Sequence, residues 1–143
     1  MQFKALVCHD GIFHIPTFIL QSDMAISGSE QWGKSPYLWE DPAGLEKWSP
    51  ARSDLLGNWQ TPMLVVHSDG DYRCPITEGL AAHNACQALG TPSRFVNFPD
   101  ENHFVAKEEN SLAWHREVFR WLNHWSGIEK DASLEHEDME TSK

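Results

Sequence analysis

The chain has 143 residues, of which 41% are hydrophobic, and it contains seven Trp and seven Phe. This composition supports one modest domain with a core and argues against global disorder. The formal net charge of −10 disfavours nucleic acid and anionic membrane surfaces as partners, because both are negatively charged.

The sequence contains neither a recognisable targeting signal nor a metal-type spacing of cysteines. The apolar run at residues 5–8 is too short for a signal peptide, and no apolar stretch approaches the roughly 20 residues of a membrane-spanning helix. Cys8, Cys74 and Cys86 cannot all pair and show no metal-type spacing. The sequence therefore predicts a soluble chain without a membrane partner, and it leaves the compartment and the oligomeric state undecided.

The first half of the chain contains two predicted strands separated by an irregular segment. The apolar run at residues 3–8 is typical of a buried strand and closes on a turn at residues 9–11. Residues 12–60 are aromatic-rich and interrupted by prolines, so we expect short helices and loops there. The run at residues 62–67 is the clearest strand in the sequence.

The second half alternates helix, strand and helix. Pro75 suits the first position of a helix that Gly90 ends, and a strand is predicted at residues 93–98. A last helix is expected to begin near an Asn110 cap and to stop at Gly127. Its predicted apolar face comprises His115, Val118, Phe119, Leu122 and Trp125.

Strands joined by helices predict an α/β fold with parallel strands, and functional groups in such folds gather at the carboxyl ends of the strands. Asp69 and Asp71 follow the second predicted strand, and His103 follows the third. A histidine can act as a general base when a carboxylate holds its other ring nitrogen. We therefore predict that the Asp71 carboxylate lies within hydrogen-bond reach of a ring nitrogen of His103.

Two motifs resemble those of a known family. Residues 67–75, His-Ser-Asp-Gly-Asp-Tyr-Arg-Cys-Pro, resemble the acid-bearing turn of the prolyl oligopeptidase family. Residues 98–103, Phe-Pro-Asp-Glu-Asn-His, resemble its histidine turn. Blocks at residues 46–52, 76–79 and 109–115 are similar to the fungal dipeptidyl peptidase V subgroup, and the resemblance covers about residues 1–126.

The resemblance implies the C-terminal half of an α/β-hydrolase catalytic domain, with Asp71 as the triad acid and His103 as the triad base. It implies hydrolysis of peptide bonds through an acyl-enzyme, with a peptide as substrate and with no organic cofactor and no metal ion. Full-length fungal relatives of this subgroup are often secreted. Ser68 stands where the family usually has glycine, and this departure leaves Asp71 in register.

The nucleophile is the main departure from the family pattern. The family serine stands in Gly-x-Ser-x-Gly-Gly, just before the strand that begins this chain, and no such motif occurs in the 143 residues. Only Ser35 has a glycine two positions before it, and Tyr37 replaces the second glycine. We therefore expect a fragment of a serine-type dipeptidyl peptidase, or a truncated gene model of one, that is inactive alone.

Three alternatives stay open. A metal site could involve His67, Asp69, Asp71 and His103, although neither a zinc nor an EF-hand motif is present. A cysteine nucleophile at Cys8 or Cys74 would lack elbow glycines, and both thiols are interpreted as structural. The third alternative is a non-catalytic interaction protein derived from a decayed α/β-hydrolase.

The C-terminal segment differs in composition from the rest of the chain. Residues 127–143 hold six acids and two lysines, which leaves a formal charge of −4, and they contain no aromatic residue. Such segments rarely bury enough apolar surface to fold. We expect a partial peptidase catalytic domain at residues 1–126 and an acidic disordered tail at residues 127–143.

Overall fold

Three parallel strands in the order β1-β2-β3 form the centre of the fold. The computed structural model describes residues 3–24, 37 and 39–127. In chain order the elements are β1 (Leu6–His9), α1 (Ile15–Gln21), α2 (Pro42–Trp48), α3 (Ser53–Leu56), β2 (Met63–Ser68), α4 (Ile76–Ala88), β3 (Ser93–Phe98) and α5 (Glu108–Ser126). The predicted parallel sheet is therefore present.

The central strand β2 is buried along its whole length. Leu64 and Val66 pack on one face of the sheet against Val118 of α5, whereas Val65 packs on the other face against Cys86 of α4. Helices on both faces explain why β2 is a continuous apolar run rather than an alternating one. Apolar side chains between the sheet and the helices thus form a core on each face of the sheet.

The first strand begins and ends later than predicted. It spans Leu6–His9 instead of residues 3–8, and Leu6 pairs with Met63 at the start of β2. The described residues 3–5 lie before the first paired position, since Pro62 precedes β2 and contributes only its carbonyl, which accepts the Leu6 N–H at 2.8 Å. For the same reason β2 starts one residue after the predicted position, whereas the third strand matches residues 93–98.

The start of α5 also differs from its prediction. The helix begins at Glu108 rather than at an Asn110 cap. The Glu101 carboxylate, which lies outside the helix, accepts the backbone N–H groups of Ala106 and Lys107. These bonds hold the backbone that leads into the helix, so no cap from Asn110 is needed.

The inward face of α5 is rotated relative to the predicted one. Trp114 and Trp121 pack beside Val118 in the core. Phe119 of the predicted face is exposed instead, together with His115 and Leu122. Both faces have helical spacing, and the larger tryptophan rings fill the space over the sheet.

The ends of α4 and α5 are close to their predicted positions. Pro75 is the residue before α4 rather than its first residue, and Gly90 and Gly127 have φ angles of 70° and 73°. These left-handed conformations are typical of glycines that end helices. Apart from Gly127, the predicted acidic tail lies outside the described residues, as does Ser35. No helix in the described part of the chain is long and apolar enough to cross a membrane.

Candidate active site

Three polar side chains meet at the carboxyl edge of the sheet. Asp10 follows β1, Asp71 follows β2 and His103 follows β3. Their nearest nitrogen and oxygen atoms all lie within 4.8 Å of one another. Each strand end thus contributes one titratable group to a single cluster, as expected for parallel α/β sheets.

The Asp71 carboxylate is buried and held by three hydrogen bonds. Oδ1 accepts the backbone N–H groups of Arg73 and Cys74 at 3.0 and 2.9 Å. Oδ2 accepts Nδ1–H of His103 at 2.9 Å, which confirms the predicted contact between the two side chains. Because both oxygens are engaged, the turn fixes the orientation of the carboxylate.

His103 presents its second ring nitrogen for chemistry. A carboxylate can only accept, so the bond to Asp71 places the proton on Nδ1 and leaves Nε2 of the neutral ring as an acceptor. The side chain is 27% exposed, and the Phe104 ring packs edge-on at 5.1 Å between centroids. This is the tautomer that a general base needs in order to take a proton at Nε2.

His67 closes the turn that carries Asp71. This fully buried ring donates from Nε2 to the Cys74 carbonyl at 2.7 Å. On its other side, a Cβ added at Gly79 would lie 2.4 Å from Nδ1, so the ring packs directly on α4. His67 therefore holds the acid-bearing turn closed against the sheet and the helix.

A direct backbone contact joins the acid-bearing turn to the histidine turn. Gly70 N–H donates to the Glu101 carbonyl at 3.0 Å. A Cβ at Gly70 would lie 2.7 Å from that carbonyl oxygen, which is closer than real Cβ atoms come to other atoms. Glycine at this position therefore allows the approach that sets the spacing between Asp71 and His103.

Glu101 and Asp100 fasten the histidine turn to α5. The Asn110 amide donates to both carboxylates, and Lys107 forms an ion pair with Asp100. The hydrogen bond from Asn110 lowers the pKa of Glu101 most, followed by the backbone N–H groups of Lys107 and Ala106. The ion pair with Lys107, and then Asn110, lower the pKa of Asp100.

We expect Glu101→Gln to make the free energy of unfolding less dependent on pH in the acidic range. A carboxylate whose folded pKa lies below its ordinary value of 4.5 stabilises the fold above that pH, and this stabilisation is lost as the pH falls through the folded pKa. The variant should therefore be less stable than the wild type at pH 7, with a difference that shrinks at pH 3. Urea midpoints at the two pH values measure this.

The matched control for this measurement is Glu108→Gln at the exposed start of α5. It removes one negative charge from the same region without touching the histidine turn. It should change the pH dependence much less. A deficit for Glu101→Gln that is equal at pH 7 and pH 3 would contradict the role of the Glu101 charge.

Asp10 is the member of the cluster that sequence reasoning missed. Its Oδ2 lies 3.8 Å from Nδ1 of His103 and 2.9 Å from Nε2 of His9. The sequence alone predicts only a turn at residues 9–11. The rule applied to Asp71 and His103, a polar residue in the turn that follows a strand, also applies to Asp10 and could have found it.

The four side chains of the metal alternative do not come together in one site. Asp69 is exposed and accepts the Asn97 amide at 2.8 Å, and His67 is bound to a backbone carbonyl. Within residues 3–24, 37 and 39–127, the three side chains close enough to share a cation are Asp10, Asp71 and His103. In this set Nδ1 of His103 already donates to Asp71, so a cation would have to displace that proton.

The cysteine alternative is disfavoured by the surroundings of the thiols. Burial, followed by the negative charges of Asp71, Asp10 and Glu78, raises the pKa of Cys74 to about 12. Burial also raises the pKa of Cys8. Both groups are neutral thiols near pH 7, and a neutral thiol is a poor nucleophile.

Comparison with known proteins identifies the family to which the chain is related. A model of the prolyl oligopeptidase family matches residues 1–129. A protein of Aspergillus terreus named "Probable dipeptidyl-peptidase 5" is 47% identical over 133 residues, which are 90% of this chain and 17% of that protein. Dipeptidyl-peptidase 5 of Aspergillus oryzae is 44% identical over 90% of the chain and 17% of its own length. The chain thus spans less than a fifth of these relatives.

Solved structures share the fold at lower identity. Pyrococcus horikoshii acylaminoacyl peptidase has a TM-score of 0.78 and 22% identity, covering 91% of this chain and 21% of its own. A puromycin-hydrolyzing peptidase of Mycobacterium tuberculosis has a TM-score of 0.79 and 19% identity, covering 91% of this chain and 19% of its own. These similarities confirm the predicted α/β-hydrolase fold. The family-model match over residues 1–129 shows that the chain belongs to the prolyl oligopeptidase family.

Proposed function

We propose that this chain carries the acid and the base of a serine-peptidase triad, Asp71 and His103, and that it lacks the nucleophile. The observation that carries the proposal is the 2.9 Å bond from His103 Nδ1 to a buried carboxylate that two backbone N–H groups already orient. This arrangement fixes the histidine tautomer in which Nε2 accepts a proton.

In the proposed reaction His103 Nε2 takes the proton of a serine hydroxyl as the hydroxyl oxygen attacks the carbonyl of a peptide bond. The resulting imidazolium is stabilised by the Asp71 carboxylate. It then protonates the leaving amine, and an acyl-enzyme forms. Water attacks the acyl-enzyme in the second step, with His103 again acting as the base.

The chain alone is proposed to be inactive. No Gly-x-Ser-x-Gly motif occurs in its 143 residues, so the Asp71–His103 pair has no elbow serine to activate. In a triad enzyme, loss of the serine alone costs on the order of 10⁶ in rate, about as much as loss of all three members. Hydrolysis is therefore proposed only for a longer protein that contains this segment.

The substrate class follows from the names of the relatives. Relatives that are 44–47% identical over 90% of the chain are named dipeptidyl-peptidase 5. We therefore propose that the longer protein releases dipeptides from peptides. Hydrolysis of simple esters alone would be a different activity, and a dipeptide substrate distinguishes the two.

The proposal is tested by joining this chain to the part of Aspergillus oryzae dipeptidyl-peptidase 5 that precedes the matching segment. The fusion should cleave a chromogenic dipeptide substrate, and the chain alone should not. Turnover by the chain alone, with labelling by a fluorophosphonate, would reveal a nucleophile inside it. A fusion that folds and stays inactive would favour the non-catalytic interaction protein. Cleavage of a simple ester without the dipeptide substrate would contradict the substrate class.

A further inference from the structure

Asp10 has an unusual backbone conformation. Its φ angle of 51° is in the left-handed region, which residues other than glycine seldom adopt. The residue is only 9% exposed, and Oδ1 has no hydrogen-bond partner in the described part of the chain. A buried carboxylate oxygen without a partner is destabilising, so the fold holds this side chain in place against its intrinsic preference.

One oxygen of the Asp10 carboxylate lies near the nitrogen that Asp71 already binds. Asp10 Oδ2 is 3.8 Å from Nδ1 of His103, and Asp71 Oδ2 is 2.9 Å from the same atom. An opposite charge within about 4–6 Å favours the charged form of a titratable group. Two carboxylates therefore favour the imidazolium that forms when His103 takes a proton.

Other titratable groups around this histidine complete its electrostatic environment. His9 Nε2 is 2.9 Å from Asp10 Oδ2, and His67 Nε2 is 3.8 Å from Asp71 Oδ2. The Cys74 thiol has its pKa raised to about 12 by burial and by the nearby carboxylates, and it stays neutral near pH 7. Among the residues that the structure describes, Asp10 and Asp71 are the two carboxylates paired with Nδ1 within 4 Å.

We propose that Asp10 is a second positioning carboxylate for His103, which stabilises the imidazolium from the side opposite the substrate. The inference rests on the proposed role of His103 as a general base. Asp10 contacts neither substrate nor nucleophile in this scheme, because it lies on the Nδ1 side of the ring and the proton transfer occurs at Nε2.

The test measures the charge of His103 in the 143-residue chain itself. Nitrogen-15 NMR of the imidazole gives the ratio of charged to neutral ring near neutral pH, with EDTA present to exclude metal ions. Asp10→Asn should lower this ratio about tenfold, the effect of losing one nearby opposite charge. Asn suits a left-handed conformation, so the turn should be retained. Asp69→Asn, which removes an exposed carboxylate bound to Asn97, should leave the ratio unchanged.

A second variant controls for any effect of the amide group that Asp10→Asn introduces. Asp10→Gly relieves the positive φ and removes the charge, and it should lower the ratio to a similar extent. An unchanged ratio in both folded variants would overturn the inference. Loss of the folded spectrum in both would also overturn it, because the carboxylate would then be holding the turn.

Failure of the proposed function has a separate signature. Asp71→Asn should displace the proton from Nδ1 of His103, whether or not Asp10 acts on the ring. If Asp71→Asn leaves the position of the His103 ring proton unchanged, the Asp71–His103 hydrogen bond does not form as proposed, and the proposed function fails. Asp10 is judged by its own variants, so the two outcomes are distinguishable.

Discussion

In the active fusion, Asp71→Asn is expected to lower kcat about 10⁴-fold without unfolding the protein, as the equivalent change does in other triad enzymes. The Asp71 side chain accepts three hydrogen bonds, one of them from Nδ1 of His103. An amide at this position can donate to Nδ1, which would move the ring proton to Nε2. His103 could then no longer accept a proton from a nucleophile.

The controls separate this effect from a general loss of charge. Asp69→Asn changes an exposed carboxylate two residues earlier that accepts a bond from Asn97. It should leave kcat within about twofold of the wild type, as expected for a surface change. His103→Ala should abolish turnover, whereas His83→Ala and His124→Ala should not. Full activity of Asp71→Asn with unchanged tautomer at His103 would refute the assignment.

Gly70→Ala is expected to destabilise the fold by about 1–3 kcal/mol, the usual range for overpacking a tight contact. The added Cβ would lie 2.7 Å from the Glu101 carbonyl oxygen, so the two turns would have to separate. That movement would lengthen the 3.0 Å bond from Gly70 N–H to the same carbonyl. Urea denaturation measures the change in the free energy of unfolding.

Gly57→Ala is the matched control for this substitution. A Cβ at Gly57 would meet no atom within 4 Å, and the residue has a φ of −61° that alanine readily adopts. It should therefore be neutral or stabilise the fold by about 0.4–1 kcal/mol, because alanine restricts the unfolded chain more than glycine does. If the two substitutions destabilise the protein equally, the contact between the turns is not what Gly70 provides.

The parallel pairing of the strands, and the placement of Asp71 and His103 in the turns after them, could be predicted from the amino-acid sequence alone. Apolar runs closed by polar turns mark buried strands, and helices between them require parallel pairing. Two strands whose carboxyl ends lie at one edge bring the residues that follow them together. For that reason the Asp71–His103 bond could be predicted from residues 32 positions apart.

The surroundings of the Asp71–His103 pair depend on tertiary contacts that the sequence pattern does not reveal. Contacts such as Asp10 with His103, and Gly70 with the Glu101 carbonyl, depend on the register of the strands and on the distance between two turns. Hydrophobic periodicity does not give the distance between two turns, because it reports which face of an element is buried and not how far apart two loops lie. The face of α5 was ambiguous for a related reason. His115 and Trp114 both belong to stripes with helical spacing, and only the space above the sheet decides which stripe packs inward.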